Sequence, residues 1–310
     1  MQLPERTQVY ETPIFDSRRW DRFVARPGDV IVCTPAKCGT TWTQMLCAML
    51  LHGSTTFPQP LTQLSRWLER HLDPLDDVLA AYEAQPHRRL VKTHTPFDGL
   101  PYFPEASYVF CGRDPRDVFL SGLDHMQNGS DRTLADARQR AGLPEDFAMP
   151  QDPNQLFPLW LTTGAMAGME DGFPIGSVMS LTKTYWQFRH LPNLLFLHYA
   201  DLSDDLDAEL RRLATFLDVP IDEAQWPHYL EAASFASMRE RADELAPGAH
   251  FAEWRSNRDF FRSGRRGTWR EVLSPENQAL YEQLASARME PRLKAWLEGG
   301  RAAAGSPENA

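Results

Sequence analysis

The stretch Asp29-Val-Ile-Val-Cys-Thr-Pro-Ala-Lys-Cys-Gly-Thr-Thr-Trp-Thr-Gln-Met-Leu-Cys-Ala-Met-Leu-Leu-His-Gly53 constrains the fold more than any other part of the chain. It begins with a short apolar run, Val30 to Cys33, the pattern of a strand buried on both faces of a parallel sheet. Thr34 and Pro35 end that run. Beyond Gly39, the residues Trp42, Met45, Leu46, Met49 and Leu50 recur at helical spacing, and Gly53 is placed to cap the C-terminus. A strand that turns into a helix aims backbone N–H groups and the positive end of the helix dipole at one spot, where an anion is favoured. Gly39 permits close backbone approach, Lys37 supplies a mobile positive charge, and Thr40 and Thr41 bring hydroxyls into the first turn. This is not a Walker A loop, in which Lys directly follows the last Gly; here Lys37 precedes Gly39. The helix N-terminus and the neighbouring Lys37 also predict a lowered pKa and a reactive thiolate at Cys38.

Further strands follow the same plan. Arg88-Arg-Leu-Val-Lys-Thr-His-Thr-Pro96 reads as a strand with Lys92 and His94 on one side of its C-terminal end, where open α/β sheets meet their ligands. Tyr108 to Cys111 reads as a third strand. It leads to Asp114 as N-cap, Pro115 at the first helical position and Asp117 in the first turn. Arg113 lies at the mouth of that helix, with Ser121 one turn beyond Asp117; the ordinary reading of the cluster pairs Arg113 and Arg116 with Asp114 and Asp117 on the surface. Leu194 to Tyr199 is a fourth buried-type strand, followed by a helix with the stripe Leu206, Leu210, Leu213 and Leu217. Ser65–Arg70 and Asp76–Tyr82 read as short helices. The alternation of strand and helix predicts an α/β fold, a single domain with a central parallel sheet flanked by helices.

Two regions break the rhythm. Residues 127–183 read as a loop-rich insertion, either a lid or binding loop over the ligand site or a small helical insertion with its own apolar packing around Phe147, Phe157, Trp160, Met166, Met169, Phe173 and Met179. The domain is expected to span 1–298, with 299–310 a disordered tail. Phe260-Phe-Arg-Ser-Gly-Arg-Arg-Gly-Thr-Trp-Arg270 carries four arginines and no acid, which suits an anion contact. A net charge of −10 opposes nonspecific nucleic-acid binding, so an anionic ligand needs a local basic pocket. No apolar run is long enough for a transmembrane segment, the N-terminus has no signal core, and the four cysteines have neither metal nor disulfide spacing, which together predict a cytoplasmic protein.

Taken together these residues resemble the cytosolic type of sulfotransferase, which moves a sulfo group from 3′-phosphoadenosine 5′-phosphosulfate (PAPS) to a hydroxyl or amine. Thr34-Pro-Ala-Lys-Cys-Gly-Thr-Thr-Trp42 resembles the family's T-Y-P-K-S-G-T-T-W loop, and Lys92-Thr-His-Thr-Pro96 its K-T-H-L-P segment. Arg113 and Ser121 match the spacing of the family's 3′-phosphate ligands, and Arg262-Ser263-Gly264 is similar to its R-K-G element. The resemblance implies a P-loop-like sulfotransferase fold, with Lys37, Cys38, Gly39, Thr40 and Thr41 around the 5′-phosphosulfate. Trp42, Tyr199, Ser234 and Phe235 would frame the adenine, and Arg113, Ser121, Arg262, Ser263 and Gly264 the 3′-phosphate. His94 would be the general base, aided by Lys37 and Lys92, with no metal and with 3′-phosphoadenosine 5′-phosphate (PAP) as product.

The chain departs from the pattern at Cys38, where the family has Ser, at Ser263 for Lys and at Ala233 for Thr, with Arg265 or Arg266 available to replace the missing charge. Its dimer motif would fall on Arg270, Ser274, Pro275 and Ala279 and is not matched, so the resemblance leaves the oligomeric state open. His87-Arg-Arg, Arg189-His-Leu-Pro-Asn and His198-Tyr-Ala-Asp resemble bacterial members linked to glycolipid sulfation, and the resemblance implies as acceptor a hydroxyl of a small molecule, lipid or glycolipid. A magnesium-dependent P-loop kinase and a nucleotide-binding protein without catalysis are the competing readings.

Overall fold

In the computed structural model, which describes residues 3–308 except Leu72, Phe147, Ala148, His250, Phe251 and Ser263, four apolar runs form one sheet. The strands are β1 (Val30–Cys33), β2 (Leu90–Thr93), β3 (Ser107–Gly112) and β4 (Leu194–His198). Their order is β2-β1-β3-β4 and every pairing is parallel, with Val30 opposite Leu90 and Ser107, and Tyr108 opposite Leu194. Helices α1 (Thr40–His52), α2 (Leu61–Leu64), α3 (Leu75–Glu83), α4 (Pro115–Asn128), α5 (Asp131–Arg140), α6 (Pro153–Thr162), α7 (Val178–Trp186) and α8 (Tyr199–Asp204) follow in order. The C-terminal half adds α9 (Leu206–Phe216), α10 (Trp226–Ala232), α11 (Phe235–Glu240), α12 (Ala242–Leu245), α13 (Asn257–Phe260), α14 (Trp269–Val272), α15 (Pro275–Arg288) and α16 (Pro291–Ala304).

Strand residues alternate between two cores, as a period of two requires. Ile31, Val91, Tyr108, Phe110 and Phe196 join one face, while Val30, Val32, Leu90, Val109, Leu195 and Leu197 join the other with the buried side of α1 and α9. Since both faces are covered, β1, β3 and β4 read as apolar runs, while β2 turns polar at Lys92 and Thr93 where it reaches the site. Arg89 and Asp29 form a fully buried ion pair beside the sheet, with Nη2 to Oδ2 at 2.6 Å and Arg89 Nη2 also donating to Val24 O.

Three expectations change. Segment 65–70 is not a helix: α2 stops at Leu64, and an isolated parallel bridge joins Trp67 to Lys92. Within 127–183 helices α5, α6 and the start of α7 alternate with irregular segments, and Leu156, Phe157 and Trp160 of α6 pack into the main core with Phe119 rather than around a centre of their own; Phe147 lies outside the described residues. The C-terminal segment is helical through Ala304, and Glu308 pairs with Arg212, so the expected disorder from 299 gives way to packed structure over the described residues. Trp296 explains the docking, since its ring is fully buried against Phe110, Trp186 and Phe196.

Candidate active site

Four parallel strands present four C-terminal ends on one side, and each end carries residues singled out above: Thr34 and the loop to Gly39, His94, Arg113 and Tyr199. The β1–α1 loop turns through two left-handed residues, Lys37 with φ 69° and Gly39 with φ 89°. Gly39 is needed there twice over: it is the α1 N-cap in left-handed geometry, and a Cβ would come within 3.1 Å of the Tyr199 ring. At Lys37 a side chain tolerates the same backbone region, a local strain of ~1–3 kcal/mol that marks a functional turn. Thr34 Oγ1 and Thr40 Oγ1 lie 2.6 Å apart and close the loop's base, and Thr41 follows, buried, in the first helical turn.

His94 is oriented by that loop. Its Nδ1 lies 2.7 Å from the Thr34 carbonyl. A carbonyl only accepts, so Nδ1 carries the proton and Nε2 keeps the lone pair. The His94 backbone is held as well, its N–H donating to Glu69 Oε1 at 2.9 Å, which also accepts from the Thr93 and Thr95 hydroxyls. Lys92 Nζ lies 4.6 Å from the centroid of the Trp67 ring, and the His94 ring meets the same indole edge-on at 4.9 Å. Both side chains therefore do reach one place, as the alternation predicts.

Positive charge is concentrated there at a cost. Burial, with added repulsion from Arg113 and Lys92, pulls the Lys37 ammonium down to about 7; burial and Arg70 pull Lys92 down to about 8. Burial first, then Lys92 and Lys37, push His94 down to about 3, against the opposing pull of its Thr34 hydrogen bond. His94 is thus neutral at physiological pH. A group that the sequence reading did not single out, His125 on α4, lies with Nδ1 3.0 Å from Lys37 Nζ, and its pKa is also driven well down by burial, Lys37, Lys92 and His94.

At the other end of the cleft, Arg113 is almost fully buried and does not pair with the neighbouring acids. Its guanidinium lies 4.2 Å from the Tyr199 ring centroid and donates to the carbonyls of Lys37 at 3.1 Å and Arg265 at 3.4 Å. Arg116 instead takes Asp114, with Nη2 to Oδ2 at 2.8 Å. Trp42 meets Tyr199 edge-on at 5.3 Å, the Tyr199 hydroxyl reaches Gly264 O, and Gly264 packs against the Phe235 ring. Ser234 caps α11 by accepting from Ser237 N–H. Asp117, Ser121 and Asp124 share one face of α4. Asp117 accepts from Gly267 N–H and Asp124 pairs with Arg262, so this face is turned to the loop at 262–267, with Ser121 between the two contacts. Arg113 Nε and Trp42 Nε1 are buried donors without a hydrogen-bond partner among the described residues. Unpaired donors of this kind fit a phosphate-bearing ligand.

Cys38 does not have the surroundings of a reactive thiol. It is fully buried, and desolvation raises its pKa well above the ordinary value, outweighing the Arg113 field that lowers it. Sequence adjacency to Lys37 misled because the thiol is packed beneath the loop while the lysine reaches out of it. Arg266 is held by Asp204 and by Ala200 O, on the far side of the loop, and Ser263 lies outside the described residues. Glu69, Trp67 and His125 had no motif to mark them; the one available signal was Glu69, an acid in the otherwise apolar and basic run Ser65-Arg-Trp-Leu-Glu-Arg70.

Residues 27–291 match the sulfotransferase domain family. The chain is 34% identical over 309 residues to a glycolipid sulfotransferase of Mycobacterium bovis, covering 94% of each, and 33% identical over 308 residues to one of Mycobacterium tuberculosis, again covering 94% of each. Among solved structures, retinol dehydratase in complex with androsterone and PAP superposes with a TM-score of 0.68 at 21% identity over 88% of this chain and 84% of that one. A mouse sulfotransferase complexed with PAP gives 0.64 at 18% identity over 89% of each. The fold is therefore that of the sulfotransferases, and the chain belongs to the sulfotransferase family.

Proposed function

We propose that the protein transfers a sulfo group from PAPS to a hydroxyl of a glycolipid. The observation that carries the reading is the His94 tautomer: a neutral ring with its lone pair on Nε2, beside two lysines at the end of a phosphate-type loop. The acceptor oxygen attacks sulfur in line, the bond from sulfur to the 5′-phosphate oxygen breaks with its electron pair leaving on PAP, and the acceptor's proton passes to His94 Nε2. Lys37 and Lys92 offset the negative charge that builds on the sulfo and bridging oxygens. The donor's anionic charge raises the pKa values of His94 and both lysines from their values in the free protein, which strengthens the base and keeps the ammonium groups charged.

The unpaired donors of Arg113 and Trp42 and the aromatic wall of Trp42, Tyr199 and Phe235 support a 3′-phosphoadenosine nucleotide at the opposite end. The glycolipid acceptor is supported by the similarity to the mycobacterial glycolipid sulfotransferases. Among the described residues no helix is long and apolar enough to cross a membrane. The test is an acceptor screen with PAPS over phenols, steroids, lipids and glycolipids, read by mass spectrometry with and without EDTA. Sulfated glycolipid formed equally in both arms is expected. Transfer only to phenols or steroids would remove the acceptor assignment, and activity with ATP that EDTA abolishes would replace the reaction by a kinase.

A further inference from the structure

His125 lies one helical turn beyond Ser121 on α4, and no motif or resemblance gives it a role. Its ring occupies a slot between two aromatic side chains, Trp254 at 4.5 Å and Phe260 at 5.8 Å between centroids. The slot is braced: Asn128 at the end of α4 donates to Ser256 O at 2.8 Å and accepts from Ser256 N–H at 3.1 Å, and an isolated bridge joins Gly129 to Trp254. Only the polar edge of the ring meets a charge. That charge is the Lys37 ammonium, 3.0 Å from Nδ1 and 4.5 Å from the centroid of the Phe260 ring.

A histidine kept for packing alone would turn its nitrogens to a carbonyl or a carboxylate; this one turns to the mobile cation of the phosphate-type loop. We propose that His125 is a positioning residue for sulfo transfer, its neutral ring accepting a hydrogen from Lys37 Nζ and holding that charge at the chamber that Lys92 and His94 share. The proposal rests on the sulfo-transfer reading and adds a residue to it. Nδ1 must be unprotonated, which places the ring hydrogen on Nε2. The groups around it favour that form, since Lys37 from the β1–α1 loop and Lys92 and His94 from the end of β2 all oppose a positive ring. The nearby acids are engaged elsewhere, Asp124 with Arg262 and Glu253 with Arg70. Lys37 is thereby fixed at both ends, its backbone in the left-handed turn and its ammonium against His125, so the long side chain is ordered before the donor arrives.

Three variants separate positioning from packing. His125→Phe keeps a ring between Trp254 and Phe260 but removes the acceptor, His125→Asn restores an acceptor oxygen near the place of Nδ1, and His125→Gln puts one farther out. With PAPS and octyl β-glucoside as acceptor probe, His125→Phe is expected to lower kcat about 10- to 100-fold, the range of one hydrogen bond to a charged group. PAP affinity by calorimetry should change less than about 3-fold, and His125→Asn should recover most of kcat while His125→Gln does not. In a Lys37→Met background the His125→Phe change should have no further effect. A readout independent of turnover is competitive acetylation of Lys37 with acetic anhydride, mapped by peptide mass spectrometry. Losing its partner lowers the ammonium pKa further, so Lys37 should react several-fold faster in His125→Phe and at the wild-type rate in His125→Asn. Unchanged Lys37 acetylation in His125→Phe, or equal kcat in the Asn and Gln variants, overturns the proposal. A wild type that transfers no sulfo group overturns the reaction instead and leaves the acetylation result to decide the role of His125.

Discussion

At the β1–β2 end of the cleft, Lys37, Lys92, His94 and His125 crowd together with their pKa values depressed, and the aromatic rings of Trp67, Trp254 and Phe260 surround them. At the 262–267 loop, Arg262 and Arg266 are well exposed and each is matched by an acid, Asp124 or Asp204. Arg113 stands between these regimes, buried but neutralised by carbonyl dipoles and a π-face rather than by a carboxylate. The first end stores electrostatic frustration that an anion relieves; the second holds charge in a relaxed, solvated state. Strong effects on turnover should therefore come from the crowded end and modest effects on affinity from the paired end.

The largest expected effect is at the base. His94→Ala should lower kcat by ~10²–10⁴ while PAP affinity stays within a few-fold, because general-base assistance acts on the transition state. Steady-state kinetics with calorimetry checks this, and a variant that keeps half its turnover would erase the distinction between the two ends. Next, Arg113→Ala should remove most of the preference for PAP over AMP, roughly 10- to 100-fold for one charge-assisted interaction, while AMP binds nearly as before. Equal weakening of both nucleotides would mean that Arg113 only braces the loops at Lys37 and Arg265.

A smaller effect, about 10-fold, is expected from pH. The depressed lysines, at about 7 and about 8, lose their charge as pH rises through those values in the free protein, whereas a bound anion keeps them protonated. PAP binding should therefore take up protons and weaken between about pH 7 and pH 9, and Lys37→Met should flatten the profile. Calorimetry in buffers of different ionisation enthalpy measures both; affinity independent of pH would show that the crowded end does not meet the anion. At the paired end, Asp124→Asn frees Arg262 and removes a negative charge that Lys37 feels, so PAP should bind about 2- to 5-fold tighter, an increment that salt erases. Weaker binding would show that the Asp124 pair orients Arg262 for the ligand. Cys38 should give no effect at all: native protein treated with iodoacetamide should show none of Cys33, Cys38, Cys47 or Cys111 labelled, since all four are buried. Rapid labelling of Cys38 would mean that the loop opens.

Strands β1, β3 and β4 were legible because both faces of the sheet are covered, so burial wrote itself as apolar runs, whereas β2, Leu-Val-Lys-Thr, was legible from the Pro96 that breaks it. Lys37, Lys92, His94 and Arg113 were legible because parallel strands end on one side and motif spacing marks those ends. What failed was anything decided by depth. Cys38 and Lys37 are neighbours in sequence and both are covered, but Cys38 packs into the apolar core while Lys37 ends against His125 and Phe260, and no local rule says which side chain turns which way. His125 follows Ser-Gly-Leu-Asp, a run without a pattern, and its meaning comes from Trp254 and Phe260, more than a hundred residues away. In the 127–183 region the Gly and Pro residues do mark the irregular segments, apart from Pro158 within α6, but the apolar residues belong to the common core rather than to a packing of their own.

The carbonyl of Thr34 belongs to the peptide that leads into the phosphate-type loop, and it is also what fixes the tautomer of His94. The proposed donor cradle and the proposed base are thus parts of one unit, β1, its loop and the end of β2, which can be inherited whole. Diversification has to happen elsewhere. Segments 65–70 and 252–262 reach the same chamber without carrying that tautomer-setting bond, but each is tied to the site at particular residues, Glu69 to the His94 backbone and Trp254 and Phe260 to His125, so only their other positions are free to vary. A chimera that keeps Asp29–Thr43, Leu90–Thr95 and the four anchors Trp67, Glu69, Trp254 and Phe260, and borrows the rest of those two segments, puts this division of labour to use.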